Sequence, residues 1–483
     1  MRAILSTPPS DGDTLGQGTV PSLGLLYIAA NAKRLADLEV SVEDPVAEGL
    51  DVAQTTERIL SGSPDLVGVG VHSRNILRGT RLVRRLKKER PEIVTVLGGI
   101  HATLFDKLLL REVPELDLVL RGEAEQSFTE LCTRLVQGAD VAGVPGLSYR
   151  ANGEIVSGRP QIILDIDSLP FPDRDSLRYE GYFTSLGGFE FPKVVKATTM
   201  LASRGCPFNC TFCTKKLEMT SNYRPRSAGN VLRELLQLRE EGYRLVLLAD
   251  ENFTWDLERV HELCQMMRDH KLHRTLRLGF QGSLHHAPQE TLNLMQTSGF
   301  DLAFLGVESA SDAQLRRYRK PANRNQMAQS IRRAKAAHMA VLANFIIGAP
   351  DESKEDLEAN KEFVRDVLPH ISDAYPLVVD PGSALWEKMV GGEEPSTIED
   401  SVSRPIESFP GQPDKQTLHE RINDFRQTFS RSWLPSKRRA FDVFDLMFHT
   451  PALWLFALPL LKRPTLLTQL FTRGQGTIDF VVD

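Results

Sequence analysis

Two long tracts of this 483-residue chain alternate short β-branched runs with amphipathic helical patterns, and that alternation leaves few folds open. From Met1 to about Gln137 the runs RAILS, EVSVED, DLVGVGV, IVTVLGG and LDLVLRG are separated by stretches such as LGLLYIAANAKRLA and ILRGTRLVRRLKKE. Five strands joined through helices make a parallel α/β sheet with helices on both faces. Ligands of such sheets sit outside the carboxyl ends of the strands. Here those ends carry small or polar residues: Pro8 and Pro9, then Ser73, Arg74 and Asn75, then Gly98 to His101, then Gly122 with Glu123. A large ligand can approach such backbone closely.

A second alternating run, placed at 193–388, contains KVVKATTMLAS, RLVLLAD, LRLGF, DLAFLGV, MAVLANFII and ISDAYPLVV with helical segments between them. Six β/α units are too few for a closed eight-fold barrel, so an open, partial (β/α)6 barrel is expected. Between the two runs, residues 146–192 read as a linker: hairpin-like GLSYRANGEIVSG first, then a tract rich in Pro, Asp and aromatic residues. The expected domains are therefore 1–145, the linker 146–192, the barrel 193–388 and a mostly helical region 389–483.

Bulk numbers exclude some partners. A net charge of -5 gives no general attraction to polyanions, and no basic block marks a nucleic-acid arm, so no nucleic acid is expected. MRAILSTPPS begins on a strand and lacks the pattern of a signal peptide. Five cysteines, of which Cys132 and Cys264 stand apart, make a poor disulfide framework, and a tight cluster of the others suits a reducing, cytoplasmic location. Near the end, PALWLFALPLL is too short to span a bilayer. A buried helix and a peripheral membrane contact are the two readings of it.

The remaining three cysteines carry the chemistry. Cys206, Cys210 and Cys213 have C-x3-C-x2-C spacing in the loop after the first strand of the second run, on the functional face of a βα barrel. Three thiolates can hold three irons of a cubane cluster and leave one iron open. The alternative is a zinc knuckle, but structural zinc takes four ligands, and no further cysteine lies nearby in sequence.

CPFNCTFC resembles the cysteine loop of the radical S-adenosylmethionine enzymes, including the aromatic Phe212 before the third cysteine. The resemblance implies a 4Fe-4S cluster whose open iron is chelated by S-adenosyl-L-methionine, cleaved to a 5'-deoxyadenosyl radical. It makes Cys206, Cys210 and Cys213 both metal ligands and catalytic residues. LLADENFTW resembles the second-strand motif, implying that Asp250, Glu251 and Asn252 face the methionine moiety. LGVESASDAQL resembles the fourth-strand motif, implying Glu308 and Ser309 near the ribose or carboxylate, and NFIIGAPDES resembles the fifth, with Ile347 and Gly348 flanking the adenine.

PSLGLLYIAA, LGGIHAT and LRGEAEQSFTEL together look like the flavodoxin/Rossmann-like cobalamin-binding domain that precedes the radical module in one large subclass. That resemblance implies cobalamin held by strand-end residues, among them Ser73, Arg74, Gly98, Gly99, His101, Gly122 and Glu123. One departure stands out: STPPSDGDTLGQG lacks the histidine that other corrinoid proteins supply to cobalt, and His101 reads as a neighbour of the nucleotide tail. The subclass implies a methyltransferase acting on an unactivated carbon or phosphorus centre. Cyclisation, rearrangement or carbon coupling without methyl donation, and a non-catalytic corrinoid carrier, are the alternatives. The implied partners are a small-molecule or lipid substrate and an external electron donor such as flavodoxin or ferredoxin. YEGYFTSLGGFEF and FDVFDLMFHTPALWLFALPLLKRP would suit a hydrophobic substrate or simply pack the open side of the barrel.

Overall fold

The structure is a computed structural model that describes residues 1–10, 20–177, 182, 185–186, 189–190, 196–214 and 222–433. The apolar C-terminal tract, most of the aromatic tract 179–191 and the middle of the first post-strand loop lie outside the described residues. The chain divides into two compact units, the first built from Met1–Ser185 and Asp380–Ser403, the second centred on Thr220–Val379.

In the first unit, β1 (Arg2–Ser6), β2 (Glu39–Glu43), β3 (Leu66–Gly70), β4 (Val94–Gly98) and β5 (Leu118–Leu120) lie in the order 2-1-3-4-5. All these neighbours run parallel, with Ile4 opposite Val67 and Gly70 opposite Gly98. This is the flavodoxin-type doubly wound order, in which the direction of strand succession reverses between β1 and β3. The inner strands β3 and β5 are apolar throughout because both faces are covered. Ile59, Ile76, Leu82, Val83 and Leu109 pack one face together with Ile4, Val67, Val69 and Leu97. On the other face Phe128, 2% exposed, approaches Gly68 beside Leu5. Helix Val52–Ser61 starts where Asp51 and Gln54 form a reciprocal capping box.

Two expected boundaries are corrected here. The hairpin Leu147–Ala151 and Glu154–Val156, here β6 and β7, does not stand in a linker: β6 pairs antiparallel with β5, Leu118 opposite Tyr149, and extends the first sheet to seven strands. Its turn, Asn152-Gly153, has positive φ at both residues, the two-residue geometry that matches strand twist. Residues Asp380–Ser403 also belong to the first unit, so the barrel does not run to 388. Ser403 donates its N–H to the Ser73 carbonyl at 3.1 Å, and Ile398 joins the apolar core.

The second unit holds six parallel strands in sequence order: β8 (Ala197–Met200), β9 (Leu245–Leu248), β10 (Arg277–Gln281), β11 (Phe300–Glu308), β12 (Ala340–Ile347) and β13 (Ile371–Pro376). This is the partial barrel that the alternation predicts. Helices begin at capping residues Ser227, Asp256, Asn323 and Ser353, each accepting a backbone N–H from the first turn. Phe253, Phe280 and Phe300, all fully buried, pack within 6.0 Å of one another beneath the strand ends. Helix Lys415–Trp433 covers the last strands: Phe425 meets Phe345 at 4.9 Å, and Arg426 pairs with Asp373 at 2.7 Å.

Candidate functional site

The cysteine loop leaves the end of β8 and is gripped along its base. Ser203–Arg204 pairs antiparallel with Arg224–Pro225, which closes the loop on itself. Asp250, completely buried at the end of β9, accepts from the Ala202 N–H at 2.7 Å and from the Ser203 hydroxyl. Burial raises its carboxyl above the usual range, with the Ser203 hydrogen bond and Arg259 acting in the opposite direction. Glu251 accepts from the Gly205 N–H at 3.1 Å. Both carboxylates expected to face the cosubstrate are thus hydrogen-bonded to the loop itself.

Two arginines complete this base, and the sequence reading passed over both. Arg226 donates to the Leu201 carbonyl at 2.7 Å, to Asn230 Oδ1 at 2.7 Å and to Glu234 at 2.6 Å, in a pair whose side chains are 3% and 1% exposed. Arg259 donates to the Ala202 carbonyl at 2.6 Å and to the Tyr223 hydroxyl at 2.8 Å. The Leu201 and Ala202 carbonyls and the Ala202 amide are therefore each tied to a buried ionisable side chain.

The three thiols are partly accessible and free of disulfides, whereas Cys132 and Cys264 are buried. Burial pushes the Cys210 thiol up to about 11, while the Lys320 ammonium works the other way. Among the described residues no three His, Cys, Asp or Glu side chains are placed to hold a single metal ion. A cubane needs no such convergence, because each thiolate takes a separate iron, and an all-thiolate donor set on one short loop fits it. Within the loop, Cys213 N–H donates to the Cys210 carbonyl at 3.2 Å. Phe212 packs edge-on against Tyr318 at 5.0 Å, and Phe208 contacts Trp255 at 5.5 Å and His285 at 6.0 Å.

The other strand ends offer a mixed set. Asn252, 1% exposed, accepts the Ser283 N–H at 3.0 Å, and its Nδ2 has no acceptor among the described residues. A buried amide left with an open donor at a strand end fits a polar ligand. Glu308 closes β11 in a left-handed conformation (φ 64°) and pairs with Lys320 at 3.2 Å. Ser309 is buried and donates to Asn360 Oδ1 at 3.3 Å, so it braces a helix. Ile347 is buried at the end of β12, and the Gly348 N–H donates to Glu352 at 2.9 Å.

In the first unit the expected residues divide differently. His101 is fully buried, with Nδ1 3.0 Å from the Ser73 hydroxyl and Nε2 3.2 Å from the Ser401 hydroxyl. Burial pushes its pKa down to about 3, so the ring is neutral and both nitrogens are engaged. Arg74 pairs with Asp380 at 3.3 Å. Gly122 is explained by the chain itself, since a side chain there would collide with the Gln161 backbone; Glu123 accepts the Ile163 N–H at 2.6 Å beside it. Gly99 (φ 98°) likewise lies against the Val71 carbonyl. Gly98 differs: the protein atom nearest to where its Cβ would stand is the Leu120 carbonyl, at 3.7 Å. Among the described residues nothing demands glycine at 98, which fits the close approach of a ligand at the end of β4. Among the described residues both imidazoles at these strand ends, His72 and His101, have their ring nitrogens in hydrogen bonds, so the residues fit a corrinoid held by backbone and hydroxyl groups.

Comparison with known proteins agrees with both units. The B12 binding domain matches residues 15–132 and the Radical SAM superfamily matches residues 200–364. An uncharacterized methyltransferase of Pyrococcus horikoshii is 29% identical over 391 residues, 80% of this chain and 83% of that one. The cytidylyl-2-hydroxyethylphosphonate methyltransferase of Streptomyces wedmorensis is 27% identical over 476 residues, covering 86% and 88%. The anaerobic magnesium-protoporphyrin IX monomethyl ester cyclase of Rubrivivax gelatinosus is 28% identical, covering 77% and 67%. In fold, the chain is similar to the cobalamin-dependent S-adenosylmethionine radical enzyme OxsB, with a TM-score of 0.67 at 18% identity over 95% of this chain and 72% of that one. The chain belongs to the radical S-adenosylmethionine superfamily, in the group that carries a cobalamin-binding domain ahead of the radical module. It is an enzyme whose cofactors are a 4Fe-4S cluster, S-adenosyl-L-methionine and cobalamin.

Proposed function

We propose that this enzyme transfers a methyl group to an unactivated carbon or phosphorus centre of a small molecule or lipid. The observation that carries the reading is the pairing, on one chain, of a three-thiol loop braced at a barrel strand end with a 2-1-3-4-5 sheet whose β4 ends in an unobstructed glycine. Relatives named methyltransferases that align over most of both chains support it.

When bound, the cluster and S-adenosyl-L-methionine supply a radical able to take hydrogen from an unactivated C–H bond, and cobalamin supplies the methyl group. Cys206, Cys210 and Cys213 would hold the cluster. Asp250, Glu251, Arg226 and Arg259 keep the loop in one shape, so that ligation does not have to order it at each loading. The open donor of Asn252 would orient the cosubstrate, and Gly98 would admit the corrinoid tail. The electron would come from a flavodoxin or ferredoxin in the cytoplasm. Among the described residues no helix is long and apolar enough to cross a membrane.

The test is anaerobic reconstitution with iron, sulfide and hydroxocobalamin, followed by reduction and addition of S-adenosyl-L-methionine labelled in its methyl carbon. The proposal expects 5'-deoxyadenosine and label in the protein-bound corrinoid. Deoxyadenosine with an unlabelled corrinoid would instead support ring closure or rearrangement, the reading that the R. gelatinosus relative favours.

A further inference from the structure

Lys320 has no part in the reading above, yet the fold fixes it from several sides. Helix Asp312–Tyr318 starts at Ser311, whose hydroxyl accepts the Gln314 N–H, and stops where Arg319 turns left-handed (φ 55°). Its last carbonyls are taken up by the cysteine loop. Thr211, between the second and third cysteines, donates its N–H to the Tyr318 carbonyl at 3.0 Å and its hydroxyl to the Arg317 carbonyl at 3.2 Å. Two residues beyond this hook is Lys320, whose own N–H returns to the Leu315 carbonyl at 3.0 Å.

The Lys320 side chain is 15% exposed, and its ammonium pairs with Glu308 Oε1 at 3.2 Å, in a side chain 16% exposed. Room for the pair is made at Gly306: a side chain there would collide with the Glu308 carboxylate and stand 3.6 Å from Lys320 Nζ. The Cys206 and Cys210 thiols lie within electrostatic reach of the same ammonium. A largely buried cation is therefore hooked to the loop that carries the three thiols, and Glu308 partly neutralises it.

We propose that Lys320 is a built-in counter-charge for the cluster, and that Glu308 sets how much of its positive charge the cluster feels. A cluster held by thiolates is already negative, and an incoming electron adds to that charge. A cation enclosed beside it, where screening by water is weak, favours the reduced form. The inference rests on the family's cluster and is independent of whether methyl transfer is the outcome.

The experiment is a redox titration of the anaerobically reconstituted full chain, without S-adenosyl-L-methionine, monitored by the paramagnetic signal of the reduced cluster. Lys320→Met is expected to move the midpoint to a more negative potential, Lys320→Arg to restore it, and Glu308→Gln to move it in the positive direction. Opposite signs for the first and third variants identify a counter-charge, because a merely structural role would move both the same way. If Lys320→Met fails to retain iron, the Glu308→Gln titration decides alone. An unmoved midpoint in an iron-loaded Lys320→Met, or a negative shift in Glu308→Gln, overturns the proposal.

Discussion

Replacing Arg226 with Met tests whether the buried base of the cysteine loop is what holds it. Arg226 and Glu234 are 3% and 1% exposed at 2.6 Å, so removing the guanidinium strands a carboxylate inside the protein. Breaking one side of such a pair costs roughly 3–5 kcal/mol. The hydrogen bonds of this charged donor to the Leu201 carbonyl and Asn230, about 1.5–3 kcal/mol each, are largely counted in that figure already. At about 1.4 kcal/mol per tenfold, backbone amides at 197–204 and 224–234 should exchange roughly a hundred- to several-thousandfold faster, read by hydrogen exchange on the apoprotein. Adding Glu234→Leu removes the stranded charge, and the double variant should recover about 2 kcal/mol or more. Exchange within threefold of the wild type in Arg226→Met, or a double variant worse than the sum of the two singles, would refute the reasoning.

Alanine at Cys206, Cys210 or Cys213 is expected to abolish 5'-deoxyadenosine formation, while Cys264→Ala, in a buried helix position, leaves it intact; chromatography of quenched reactions separates the two outcomes. His101 is neutral in the fold with its pKa lowered from 6.5 to about 3, so unfolding takes up a proton below pH 6.5. Its contribution to stability is present above pH 6.5 and lost as pH falls, by about 1.4 kcal/mol per pH unit. The urea midpoint of the wild type should therefore drop between pH 6.5 and 5 more steeply than that of His101→Gln. Gly98→Ala should keep the wild-type melting temperature and weaken corrinoid binding, measured by equilibrium dialysis. Gly99→Ala should lower both, because φ is 98° and the new methyl meets the Val71 carbonyl.

Much of the architecture was legible because it is written in period and punctuation. Short apolar runs such as LVGVG and FDLAFLGVE, set between helical patterns, suit parallel strands covered on both faces, and capping residues such as Asp51 and Ser353 mark where helices begin. The cysteine spacing gave the loop because its chemistry depends on residue type and local sequence alone. Domain boundaries were less legible. The turn chemistry of Asn152-Gly153 announced a hairpin but not the sheet it joins, and nothing in Asp380–Ser403 declares that it packs with residues three hundred positions earlier. Site roles were hardest where a polar residue could face either ligand or protein. Asp250, Glu123 and His101 look like ligand contacts in sequence, yet their hydrogen bonds in the structure are internal. Arg226 and Lys320 had no periodic signal, since their importance comes from long-range closure onto the loop.

The central claim is that the loop from Cys206 to Cys213 presents a cluster to S-adenosyl-L-methionine. It is tested most directly by recording the paramagnetic resonance of anaerobically reconstituted, dithionite-reduced enzyme before and after the cosubstrate is added. A reduced-cluster signal whose g-values shift on addition is expected. A signal that ignores the cosubstrate, or no signal in protein loaded with iron and sulfide, would contradict it.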